Sequence, residues 1–257
     1  MLFGILQSLK KQLGEVIIDE SSLYHLKQSH SIVAVFLYFQ LSGIVRGMIL
    51  TYFGDQFVKI SQGDTVIAIN PPSKESGRSP SRFGSVLALS TTNHPLYNGF
   101  DVVTYGENAP FIIDGPGEYE HSGIVVRGKG TTTTIDGKEY QNTIYTLNVE
   151  DITIGFMGPI NEGLTAGMLD AVGTPDILFV PIGGEGVLDP AAAYKLAVSI
   201  APKVIIPMDY GAGRNKDALK LFLKEAAEDA VEPLEKLTIR KKELEQKEGD
   251  VIVLKVN

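Results

Sequence analysis

The chain contains no cysteine. That excludes disulfides, thiolate-bound zinc and a cysteine nucleophile, and it fits a cytoplasmic protein. Histidine is scarce: His25, His30, His94 and His121 are the whole supply. Catalytic zinc sites lean on imidazole, so a dinuclear site built mainly from histidine cannot be assembled from these four. Basic charge is short as well. Lys and Arg number 23 against 31 Asp and Glu, for a net charge of −8. Nucleic-acid binding needs a basic footprint, so no nucleic-acid partner is expected. The longest apolar stretch, residues 32–39 with its continuation to 45, is shorter than the roughly 20 residues of a membrane helix. No membrane contact is expected of it, and its flanks do not suit a secretory signal.

What is present suits a folded protein. Hydrophobic residues make up 44% of 257, enough for one large domain or two small ones. Residues 1–47 stand apart. Four basic residues (Lys10, Lys11, Lys27, Arg46) face three acidic ones (Glu15, Asp19, Glu20), with a weak helical period over 2–13. They are read as an N-terminal extension packed on the domain, or as sequence upstream of a true start at Met48.

From Met48 the pattern turns to short β-rich runs at 48–53, 56–60 and 65–69, separated by Gly54-Asp55 and Gly63-Asp64. Such pairs are hairpin turn signals. Residues 71–82 read as an exposed loop. An apolar strand at Leu87-Ala88-Leu89 then stops in a polar loop, Ser90 to Gly99, of the kind in which α/β folds place chemistry. Further strands are expected at 101–104, 111–113 and 124–127. A tight turn is expected at 115–119, a small-residue loop at 128–134, and a hairpin from 142–148 to 152–157. The last third alternates strand and helix. Asp189-Pro190 supplies an N-cap followed by Pro at the first helical position. A second, amphipathic helix is expected over 216–230, and strands at 176–181, 203–207, 237–239 and 251–256. Gly183-Gly184 reads either as a tight turn or as backbone amides facing an anion.

Several of these segments, in order, resemble one family. They are Met48-Ile49-Leu50-Thr51-Tyr52-Phe53-Gly54, Thr65 to Pro71, His94-Pro95-Leu96-Tyr97-Asn98-Gly99, Gly115 to Glu120, Val180 to Gly184 and Val204 to Tyr210. From residue 48 to 257 the chain resembles the metallo-β-lactamase superfamily, most closely its ascorbate-6-phosphate lactonase-like branch. The resemblance implies an α/β fold: a four-layer αββα sandwich with a metal site at one edge. Active members read His-Xaa-His-Xaa-Asp-His in the first loop, and two metals there lower the pKa of a bridging water.

In the register that suits the flanking residues, His94 takes the first His position, Leu96 the second, Asn98 that of the Asp and Gly99 that of the last His. A register with His94 as the second His remains open. No His lies in 128–134, where the third-motif ligand is expected. Pro159 replaces the bridging Asp and Asp209 the final His. The resemblance therefore carries over only His94 and Asp209 as metal ligands, with Asp114, Glu118 or His121 as possible thirds.

Two readings follow. In the first, the metal site is eroded and the protein is a non-catalytic scaffold, its cleft a pocket for a protein or small-molecule partner and no cofactor expected. In the second, one zinc or manganese ion sits on His94, Asp209 and another carboxylate, with Asp209 also a candidate general base. That enzyme would hydrolyse a phosphorylated lactone or a phosphoester.

Overall fold

The structure, a computed structural model, describes residues 47–106, 109–184, 186–210, 215–228 and 231–257. The expectations for the extension at 1–47, including 32–45, lie outside the described residues apart from Gly47. Gly47–Asn257 forms a compact unit.

Strands β1 (Met48–Tyr52), β2 (Val58–Gln62) and β3 (Thr65–Ile69) form an antiparallel meander. Every second residue of β1 and β2 is buried, as a sheet with one core-facing side requires. The turns fall where the Gly-Asp pairs stand, and Gly54, Asp55 and Gly63 all have positive φ. Next come β4 (Leu87–Leu89) and β5 (Phe111–Ile113), each parallel to its predecessor.

Strands β6 (Gly117–His121), β7 (Ile124–Ile135), β8 (Lys138–Val149) and β9 (Ile152–Phe156) form a second antiparallel run. Helix α1 (Ala166–Val172) leads to β10 (Ile177–Pro181), α2 (Pro190–Ile200) to β11 (Val204–Met208), and α3 (Ala218–Glu225) to β12 (Leu237–Ile239). Helix α4 (Lys241–Leu244) and β13 (Asp250–Val251) follow. Asp189 caps α2 as its sequence foretells, its Oδ1 accepting from the Ala191 and Ala192 amides.

The result is two mixed sheets, ordered β12-β1-β2-β3-β4-β5 and β13-β11-β10-β9-β8-β7-β6. The main core lies between them, with Leu50, Ile60, Ile67, Leu89, Tyr145, Phe156, Phe179 and Ile206 among its members. Fully burying a Leu or Ile there contributes about 1.5–3 kcal/mol. Leu196, Ala197, Ile200 and Phe222 from α2 and α3 pack with Leu178, Val180 and Ile205 on the outer face of the second sheet. The outer face of the first sheet is covered by Phe57, Val102 and Val103, with Phe53, Phe83 and Phe100 around them. The sandwich matches the expected α/β class. Among the described residues no helix is long and apolar enough to cross a membrane.

Four local expectations need correction. Residues 101–104 do not form a strand; Phe100–Val103 is a single 3₁₀ turn. Burial of Val102 and Val103 against Ala68 and Ala88 overrides their β propensity. Residues 128–134 are not a loop, because β7 runs on to Ile135 and pairs with β8 along its full length. Its tip is Asp136-Gly137, both at positive φ. The turn at 115–119 opens into β6, whose edge carries the exposed Glu118 and Glu120. The strand expected over 251–256 is only Asp250–Val251, continued by isolated bridges from Leu254 to Leu234 and from Val256 to Tyr52.

Candidate functional site

The loops after β3, β4, β9 and β11 converge through hydrogen bonds. Asp209 follows β11 directly. It is fully buried at φ 60°, a conformation that Asp tolerates better than most residues. Its amide lies 2.6 Å from the Asp55 carbonyl oxygen and 2.9 Å from the Tyr52 hydroxyl. Its Oδ2 accepts from Gln56 Nε2 at 2.8 Å. Burial, reinforced by Asp209 and Tyr210 nearby, pushes the Tyr52 hydroxyl well above its ordinary pKa.

Asn70 follows β3 and is also buried in the left-handed region, at φ 53°. Its Nδ2 lies 3.4 Å from Gln56 Oε1 and donates to Thr91 Oγ1 at 2.9 Å. Its Oδ1 accepts from the Thr91 amide at 2.8 Å and from the Thr91 hydroxyl at 3.1 Å. The Thr91 carbonyl in turn accepts from the Thr143 amide on β8 at 2.7 Å. Beside it, Asn142 accepts from the Thr92 hydroxyl at 3.1 Å and donates to the Met157 carbonyl at 3.2 Å. Thr133 on β7 donates its hydroxyl to the Pro159 carbonyl. The Tyr145 hydroxyl donates to the Ser90 carbonyl at 3.0 Å, and burial raises its pKa strongly.

His94 belongs to different surroundings. Its Nδ1 accepts from the Leu96 amide at 3.3 Å, and its ring packs edge-on against Tyr140 at 5.3 Å. Burial lowers its pKa; Asp136 works against this and Lys138 with it. Leu96 and Asn98 are half-buried, and Asn98 Nδ2 donates to Asn93 Oδ1 at 2.8 Å. Gly99 is buried against the loop after β3. A Cβ there would lie 2.3 Å from the Pro72 carbonyl oxygen, so a histidine at this position would displace that backbone. Pro159 is buried on β7 through Thr133.

The possible third ligands lie elsewhere. Asp114 is exposed, Glu118 is exposed beside Arg127, and His121 stacks on Phe111 at 4.7 Å. Among the described residues no three His, Asp or Glu side chains converge as metal ligands would. Among the described residues, the side chains at the ligand positions that the resemblance gives do not supply the family's donor set. At Gly183-Gly184 the Gly184 amide donates to the Leu188 carbonyl at 3.1 Å.

Sequence reasoning singled out Asp209 and Pro159 but not Gln56, Asn70, Thr91, Thr92, Thr133 or Asn142. One hint was available for two of these. Asn70 and Thr91 are polar residues placed just beyond buried strands, on the β3 and β4 ends that later prove to be neighbours.

The β-lactamase superfamily domain model matches residues 49–209. Among solved structures, a Thermotoga maritima protein assigned as a Zn-dependent hydrolase of the metallo-β-lactamase superfamily is 26% identical, with a TM-score of 0.65. The match covers 80% of this chain and 98% of that one. Igni18, a metallo hydrolase from Ignicoccus hospitalis, shares the fold at 17% identity and TM-score 0.53, covering 82% and 96% of the two chains. The YhfI metallo-β-lactamase fold protein of Bacillus subtilis does so at 10% and 0.54, covering 82% and 98%. The chain belongs to the metallo-β-lactamase superfamily.

Proposed function

We propose that this protein is a catalytically silent member of its superfamily, with the sandwich retained as a scaffold for a protein or small-molecule partner. One observation carries the reading. The two candidate ligands are engaged separately, Asp209 by Gln56 and His94 by Leu96 and Tyr140, and among the described residues no third His, Asp or Glu joins them. A catalytic zinc takes three protein ligands and keeps a position open for water. The lack of cysteine supports a cytoplasmic setting.

The test is the metal content of the purified protein before and after loading with zinc or manganese, beside His94→Ala and Asp209→Asn. The expected result is well below one equivalent in all three. One equivalent lost in either variant would overturn the reading. It would favour the alternative, a hydrolase with a single rebuilt metal site, for which the 26% identity to a protein assigned as Zn-dependent speaks. The lactonase-like resemblance then names the compounds to screen, phosphorylated sugar lactones and phosphoesters.

A further inference from the structure

Resting on that silent reading, we propose that this protein's own neutral side chains take up the space that metal ions occupy in catalytic relatives. Gln56, Asn70, Thr91, Thr92 and Asn142 form a hydrogen-bonded knot between Asp209 and the Gly158-Pro159 turn. The knot fastens the two sheets where a metal would otherwise bridge them.

Placement comes first. The resemblance sets Pro159 and Asp209 at two ligand positions of the family, and the structure places them after β9 and β11 of the second sheet. The polar side chains linked between them come from both sheets. Gln56, Asn70, Thr91 and Thr92 flank β2, β3 and β4, while Asn142 lies on β8. The first-loop residues that reach this place are Thr91 and Thr92; His94 lies beyond them and packs against Tyr140.

The second point is the engagement of the amide oxygens. A cation needs oxygen lone pairs directed at it. Asn70 Oδ1 already accepts two hydrogen bonds from Thr91, and Asn142 Oδ1 accepts one from Thr92. Gln56 Nε2 donates a hydrogen bond to Asp209 Oδ2, and its Oε1 faces Asn70 Nδ2 at 3.4 Å. Each amide is oriented by the next, so turning one outward to a cation would break its neighbour's bond.

Packing is the third. A Cβ built on Gly158, which sits at φ 67°, would lie 2.3 Å from Asn142 Oδ1 and 2.9 Å from Thr91 Cβ. The space beside the turn does not admit a methyl group, so nothing larger than the Gly158 hydrogen fits against this part of the knot.

The experiment is a thermal double-mutant cycle on Asn70→Ala and Thr91→Val, run with and without excess zinc. Without zinc, each single variant should melt about 3–10 °C below wild type, and the double variant should lose less than the sum. Singles that melt with the wild type, or losses that simply add, would overturn the knot. So would a zinc-induced rise of the wild-type midpoint that Asn70→Ala abolishes. A zinc-induced rise that survives in Asn70→Ala would instead refute the silent reading while the non-additive losses upheld the knot. Should Asn70→Ala not fold, amide hydrogen exchange of wild type decides. The Thr91 and Thr143 amides should exchange as slowly as those of β4 and β8, and rapid exchange at both would overturn the proposal.

Discussion

Gln56 donates a 2.8 Å hydrogen bond to the carboxyl of Asp209 across 153 residues of sequence, and both side chains are fully buried. The bond ties the start of β2 to the end of β11, and so one sheet to the other. Replacing Asp209 by Ala leaves Gln56 Nε2 without this acceptor and puts an alanine at φ 60°. The expected loss is about 2–4 kcal/mol in chemical denaturation. Asp209→Asn keeps a carbonyl oxygen for Gln56 and tolerates the same backbone, so it should lose about 1 kcal/mol. Equal losses in the two variants would mean that the Gln56 bond contributes nothing.

Gly158→Ala is expected to be the most damaging conservative change at this end of the sandwich. It combines φ 67° with a contact of 2.3 Å to Asn142 Oδ1. Overpacking and strain together should cost about 3 kcal/mol or more. Gly163→Ala, with open space around it, should stay within about 0.5 kcal/mol of wild type. Urea midpoints of the two variants check this.

Asp176 joins Lys203 and Lys241 at 2.8 Å each and accepts from the Thr153 amide at 2.9 Å. Lys241, the first residue of α4, is thus an ion-pair partner of a residue 65 positions away in sequence. Burial raises the Asp176 carboxyl, but the two lysines and the amide outweigh it and hold the pKa below its ordinary 3.8. A depressed carboxyl contributes stability that is present above its unfolded value and is lost as pH falls through the folded one. Acid denaturation of wild type should therefore show a loss below about pH 3.8 that is absent in Asp176→Asn. At neutral pH that variant should be about 1–2 kcal/mol less stable, a modest figure because both lysines are about one-third exposed.

Tyr52, Tyr145 and Tyr210 govern the alkaline limb. Burial pushes Tyr210 up to about 12 and the other two higher than the ordinary 10. The folded protein keeps these protons longer than the unfolded chain. Their contribution is complete below pH 10 and is lost as pH rises through the folded values. Tyrosinate absorbance from these three should appear only above pH 10, and its rise should coincide with unfolding. A single phase near 10 in a still-folded protein would contradict the burial of all three.

His94 should titrate below 6.5 in NMR, because burial disfavours its charged form. Stability from this group is present above the unfolded value and declines as pH falls below 6.5. Tyr140→Ala opens its edge-on contact and should move the midpoint back toward 6.5. An unchanged midpoint would mean that Tyr140 does not shield the ring.

Much of the sandwich was legible because its cues are local. The alternation in β1 and β2, the Gly63-Asp64 turn and the Asp189-Pro190 helix start act within a few residues of themselves. Where non-local packing decided, the reading failed. Val102 and Val103 turn helically to cover the first sheet, and the threonines after Gly128 extend a strand because β8 lies alongside.

The sequence by itself determined that Gly99 and Pro159 offer no metal-binding side chain, and that Asp209 stands just beyond a buried strand. These are matters of residue identity and short-range pattern. Only the tertiary structure decided which polar groups meet. Asn70, Thr91, Asn142 and Gln56 carry no local motif, and their hydrogen bonds depend on the register of strands in two facing sheets. Likewise His94, the most conspicuous candidate in the sequence, was assigned to Tyr140 by the course of the β7–β8 hairpin. A hydrogen bond is made by atoms within about 3 Å of one another, and for groups as far apart in the chain as Gln56 and Asp209 only the assembled fold supplies that distance.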